Sequence, residues 1–198
     1  MTENMERAEQ AMKDFLEALG LDLHELRMEK TPMRVAQAYA QFFSGLQEEP
    51  AAQWGDLITT KSQGLVSVRN LHFQSICEHH LLPFFGTVHI VYCPRDGKIA
   101  GFGHFAEVLK TISCRPQLQE RMTDEICAAI DEGLQSQGTI VMVKGTHMCL
   151  TMLNRLAQDS DIITVSASGC LQQGTEYFDK AWNLLIQEVG NEYTTKKI

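Results

Sequence analysis

The sequence predicts an α+β fold in which an antiparallel sheet carries helices on one face. Three observations point there. Hydrophobicity of period two, the mark of half-buried strands, occurs in four segments, and hydrophobicity of helical period occurs in five. After residue 62 these segments follow one another in the order ββααββα rather than as alternating βα units, which favours an antiparallel over a parallel sheet. The 198 residues with 44% hydrophobic content suffice for one core, so a single domain is expected: an N-terminal helical region and loop over 1–62 and a core over 63–190.

Residues 5–19 place Ala8, Ala11, Met12, Phe15, Leu16 and Leu19 on one stripe, and Gly20 stops the helix. A second helix is predicted from Thr31, read as an N-cap, with Pro32 at the first helical position and Val35, Tyr39, Phe42 and Phe43 along one side before Gly45. Residues 46–63 lose periodicity around Pro50 and read as a linking loop. Alternation over 64–74 and 86–92 predicts two strands joined by SICEHHLLPF, with a turn at Pro94-Arg95-Asp96-Gly97 after them. Two helices follow, one bearing Phe105, Val108, Leu109 and Ile112, the other Leu118, Met122, Ile126, Ala129 and Ile130; Pro116 separates them. Strands near 138–145 and 160–168 and a last helix from about 175 to 189 complete the chain, which has no internal repeat.

A formal net charge of −8 and a pI near 5.3 argue against a nucleic-acid partner, because phosphate binding needs a basic face. No run reaches the ~18 apolar residues of a membrane span, and the first residues lack the basic-then-apolar pattern of a secretion signal, so a cytoplasmic protein without a membrane partner is expected. In that setting the six cysteines are not read as a disulfide framework. Cys114 and Cys127 lie in apolar helical stretches and are assigned to the core.

Cys77-Glu78-His79-His80 and Thr146-His147-Met148-Cys149 each stand at the end of a predicted strand. If those strands are near neighbours, Cys77, His80 and Cys149 converge as two thiolates and an imidazole, a donor set that suits zinc. Three protein ligands leave a position for water, whose pKa zinc lowers to about 7. His79 and His147 flank the ligands and suit proton transfer near neutral pH. Spacing equally allows one of them as a fourth ligand, which would make the metal structural.

Through SICEHHLLPFFGTVHIVY, RPQLQERMTDEI and GTHMCL, together with the KTPMRVA helix start, the sequence resembles the GTP cyclohydrolase I family over residues 30–190. The resemblance implies a tunnelling fold (T-fold), in which sheets from several subunits form an oligomeric barrel, a homodecamer with active sites where subunits meet. It implies Zn2+ on Cys77, His80 and Cys149, His79 and His147 as the histidines of catalysis, and Gln119 and Glu120 as the grip on guanine. The implied reaction begins with hydroxide attack at C8 of the guanine ring, His79 protonating N7; formate leaves, and the ribose rearranges into a pterin.

The sequence departs from the family where GLSKLAR is usual and GFGHFAE stands, so that Gly103, His104 and Glu107 replace serine, lysine and arginine, while Leu153 replaces the arginine of MRG. A triphosphate carries about four negative charges and is normally met by arginine or lysine. His104 and Glu107 are therefore expected to mark a guanine-type substrate with fewer phosphates: a nucleoside, a monophosphate or a base. Arg69, Lys144 and Arg155 are the candidates for restoring charge. Alternatives are the standard conversion of GTP to dihydroneopterin triphosphate and formate, a non-enzymatic zinc-stabilised binding protein, and a nitrile reductase on the same fold, whose motifs are not apparent.

Overall fold

The computed structural model describes residues 3–61, 64–154 and 157–186. Its contacts divide the chain into two units, Met1–Ser44 and Gly45–Ile198. The first holds α1 (Glu3–Ala18) and α2 (Thr31–Phe42). Gly20, at φ +87°, takes the chain out of α1 in the left-handed conformation that glycine adopts without strain. Thr31 is the first helical residue of α2 and not its cap. Lys30 occupies the cap position without a side-chain hydrogen bond, and Pro32 follows in the first turn, where its missing N–H costs nothing.

In the second unit β1 (Ile58–Thr59), β2 (Val66–Cys77), β3 (Pro83–Cys93), β4 (Lys98–Ile99), β5 (Pro116–Gln117), β6 (Gly138–His147) and β7 (Ile162–Ala167) alternate with α3 (Phe102–Ser113), α4 (Gln119–Leu134), α5 (Met148–Thr151) and α6 (Phe178–Ile186). The main sheet has the order β5-β2-β3-β6-β7. All its pairings are antiparallel except the two-residue contact of β5 with the end of β2. The mixed α+β fold expected from the sequence is thus present.

Three expectations change. First, β2 and β3 run further than their alternation suggests, because Ile76 pairs with Pro83 and the Cys77 N–H donates to Leu82 O at 2.9 Å. SICEHHLLPF shrinks to a turn over 78–82, closed by Leu81 at φ +53°. Second, the helices do not share one face. α3 and α4 cover Val88, Ile90, Tyr92, Val141 and Val143, whereas α6 brings Ala181 and Leu185 onto Val91, Ile140 and Met142 on the other side. β3 and β6 are buried continuously from Val88 to Cys93 and from Gly138 to Val143, so both faces need cover. Third, the segment over 46–63 is more than a linker. It forms a 3-10 turn at Pro50–Gln53, and Ile58–Thr59 pairs with Lys98–Ile99. Trp54, 3% exposed, donates its indole N–H to Ala129 O at 3.0 Å and sets its ring edge-on to Phe105. The final helix is described from 178 to 186; the rest of the predicted span to 189 lies outside the described residues.

Gly86 sits where β3 is hemmed between β2 and β6. A Cβ there would lie 1.9 Å from the Lys144 carbonyl oxygen, a backbone atom unable to yield without opening the sheet. Gly86→Ala should therefore destabilise the fold by about 1–3 kcal/mol or more, as overpacking does. Chemical denaturation measures it, and an unchanged midpoint would refute the close approach.

No helix among the described residues is long and apolar enough to cross a membrane.

Candidate functional site

The two motif clusters end on β2 and β6, with β3 between them; Phe84 of β3 pairs with His147. Strands in these positions are roughly 10 Å apart, too far for their side chains to share an ion directly. The distance closes because both chains leave the sheet there, one through the turn over 78–82 and the other through α5. Ligand atoms of Cys77, His80 and Cys149 consequently all lie within 4.8 Å of one another, with Cys77 buried, Cys149 half-buried and His80 exposed. Among the described residues this group contains neither His79 nor His147.

These donors fit a tetrahedral zinc ion. Sulfurs at about 2.3 Å from such an ion stand about 3.8 Å apart, within the observed spread. Burial pushes the Cys149 thiol up, and the Cys77 sulfur beside it pushes the same way. A divalent cation beside Cys149 would offset that penalty on its thiolate.

The turn that carries His79 and His80 is held from below. The Glu78 N–H donates to Gln117 O at 3.1 Å, and the Glu78 carboxylate accepts from Arg121 Nη2 at 2.6 Å. Arg121 also donates to the Gln117 side-chain oxygen at 3.1 Å and to Pro116 O at 3.0 Å, tying α4, β5 and the turn together. His79, exposed, places Nδ1 3.9 Å from Cys77 Sγ, its ring edge-on to His80 at 6.2 Å between centroids.

His147 is 8% exposed and stacks on Phe84 at 4.5 Å and 12°. Burial holds its pKa below the ordinary imidazole range, with the Glu120 carboxylate pulling the other way. Its Nε2 lies 2.8 Å from Gln119 Oε1. Gln119, read from the sequence as part of a guanine grip, is 1% exposed, and its side-chain amide is consumed by His147, β6 and β7. In this conformation the amide is turned inward, with its nitrogen on β6 and β7 and its oxygen toward His147. Glu120, next to it, is exposed at the start of α4.

His104 belongs to a different contact. Its Nδ1 lies 2.8 Å from Gln53 O, and its ring is packed so closely on Gly55 that a Cβ there would meet it at 2.8 Å. Through Nδ1 the half-buried imidazole pins the loop before β1 to α3. Gly103 and Leu153 are exposed, and exposed Glu107 lies 3.8 Å from Lys110. Of the other cations, Arg69 donates to Leu184 O at 3.3 Å and Lys144 pairs with Asp161 at 2.7 Å; Arg155 lies outside the described residues. Sequence reasoning missed Arg121 and Gly145, although each stands inside a motif it singled out. An Arg four residues after Gln117 is the available signal for the first; nothing in the sequence marks the second.

The family model described as GTP cyclohydrolase I matches residues 8–185. GTP cyclohydrolase 1 of Streptococcus pyogenes serotype M18 (strain MGAS8232) is 41% identical over 188 residues, which cover 95% of this chain and 97% of that protein. GTP cyclohydrolase 1 of Streptococcus thermophilus (strain CNRZ 1066) is 40% identical over 88% of this chain and 93% of its own. The archaeosine synthase QueF-Like in its apo form aligns with a TM-score of 0.43 at 19% identity, covering 55% of this chain and 97% of that one, a likeness too weak to bear on fold or function. The near-full-length relatives overturn the expectation of a substrate with fewer phosphates. They favour the standard alternative, and the anchoring contact of His104 gives one of the altered positions a structural occupation that implies no change of substrate. From its matched span and its relatives, the chain belongs to the GTP cyclohydrolase I family and is a hydrolase that acts on a cyclic amidine.

Proposed function

We propose that this protein converts GTP to dihydroneopterin triphosphate and formate with zinc held by Cys77, His80 and Cys149. The observation that carries the reading is the meeting of those three side chains within 4.8 Å, in a chain whose 41%-identical relatives are named GTP cyclohydrolase 1. Bound there, zinc supplies Lewis acidity that activates water for attack on C8 of guanine. The chain's own groups do the rest. Glu120 accepts from the N1–H and 2-amino donors of guanine, a pair that adenine does not present. His79 gives a proton to N7 as the imidazole ring opens, and His147 moves protons in the rearrangement that forms the pterin. The triphosphate must then be met by cations other than the lysine and arginines usual at positions 104, 107 and 153.

Assembly into a decameric tunnelling-fold barrel in the cytoplasm belongs to the same reading. It is supported by β7, an edge strand whose Ile163 and Val165 are exposed, since an apolar edge invites another strand.

Zinc-loaded full-length protein incubated with GTP should release one formate per fluorescent pterin formed after oxidation. Absence of formate, or turnover of guanosine in preference to GTP, defeats the proposal. Glu120→Gln should keep its zinc and lower kcat/KM for GTP roughly 10- to 150-fold, the range for hydrogen bonds to a charged group. Undiminished kcat/KM would remove Glu120 from the guanine site.

A further inference from the structure

The geometry assigns Gln119 as a positioning residue that holds His147 in its Nε2–H tautomer and leaves Nδ1 as the proton-accepting nitrogen. The partners of the side-chain amide fix which way it faces. Gln119 Nε2 stands 3.2 Å from Val143 O, 3.0 Å from Ile162 O and 3.1 Å from Thr164 Oγ1. Backbone carbonyls only accept, so the amide nitrogen has to face them; the flipped amide would set its oxygen against two carbonyl oxygens. Thr123 spends its one proton on Gln119 O at 2.6 Å, so in its 2.6 Å contact with Thr164 the latter donates, which leaves the Thr164 oxygen free to accept from Gln119. Oε1 is thereby fixed toward His147 Nε2 at 2.8 Å, and because Oε1 cannot donate, Nε2 carries the hydrogen.

An inverted ring would set a carbon in place of Nε2 against Gln119 Oε1 and lose the 2.8 Å contact, so the buried ring, stacked on Phe84, keeps this orientation. Gly145 makes the pair possible, since a Cβ at that position would lie 2.3 Å from Gln119 Oε1. Only the consequence for turnover rests on the reading of His147 as a proton carrier; the tautomer does not.

Zinc-loaded full-length protein labelled with 15N at histidine, measured by magic-angle-spinning NMR at pH 8, reports the tautomer of the His147 ring, whose pKa burial lowers. The His147 signal is identified by its loss in His147→Asn. It should read Nε2–H in the native protein and become a mixture in Gln119→Met and in Gly145→Ala. An Nδ1–H signal in the native protein overturns the assignment without recourse to any variant, as does a pattern untouched by both substitutions. In Gln119→Met kcat should fall about a hundredfold, the lower range for general acid–base assistance, with KM for GTP little changed. A shifted tautomer with kcat unaltered upholds the assignment and removes His147 from the chemistry.

Discussion

Cys149→Ala should purify as a folded protein with almost no bound metal and should lose formate release from GTP by more than about a hundredfold. The magnitude follows from a comparison: partners that merely orient metal ligands cost about 10- to 100-fold in affinity or activity when removed, so deleting a direct ligand must cost more. Folding should survive because Cys149 is only half-buried and stands on a short helix outside the sheet. Cys114→Ala is the control. Cys114 is also half-buried but sits at the end of α3 and outside the three-residue group, so its loss should leave metal content and turnover unchanged. Elemental analysis of the purified variants, with activity measured before and after chelation and after zinc is returned, gives the answer. Full metal content in Cys149→Ala would show that the three side chains are neighbours without being ligands.

That Cys77, His80 and Cys149 would come together was legible in the sequence, because two short clusters of Cys and His, each ending a strand, suit metal chemistry that is strict about residue type. The strands and the large helices were legible through periodicity. What escaped has physical causes. The amphipathic pattern of α6 says that one side is apolar but not which face of the sheet it covers, and α6 took the face opposite α3 and α4. A strand of two residues, such as Ile58–Thr59 or Pro116–Gln117, is too short to have a period. His104 and Gln119 show the limit for side chains. Aligned with a family, both looked like groups for a ligand; the first anchors a loop and the second turns inward to a histidine. Residue type announces what chemistry a group can do, whereas the backbone around it decides which partner it meets.

Arg121→Ala should weaken zinc binding by about 10- to 100-fold although the guanidinium belongs to no ligand, the range found when outer partners of metal ligands are lost. The turn over 78–82 is short, and His80 is exposed, so the packing around His80 itself does little to fix its imidazole. Order has to come from the backbone on either side. On the Cys77 side it comes from the pairing with Gln117 and the bond to Leu82; beyond it the anchor is Glu78, gripped by Arg121. An isolated ion pair at this exposure contributes little to stability. The guanidinium does more here than neutralise charge, since it also donates to the Gln117 side chain and to Pro116 O. One planar fork therefore fixes the distance between β5 and the turn, a function that a lysine ammonium lacks the donors and rigidity to reproduce. Arg121→Lys should accordingly resemble Arg121→Ala in zinc affinity, measured by competition with a chromogenic chelator. Both variants should recover most of their kcat at saturating zinc, because neither touches His79, His147 or Glu120. A lysine variant with native affinity would mean that charge alone holds Glu78. If instead kcat stays low when zinc is saturating, Arg121 acts on the reacting groups and not through the ligand turn.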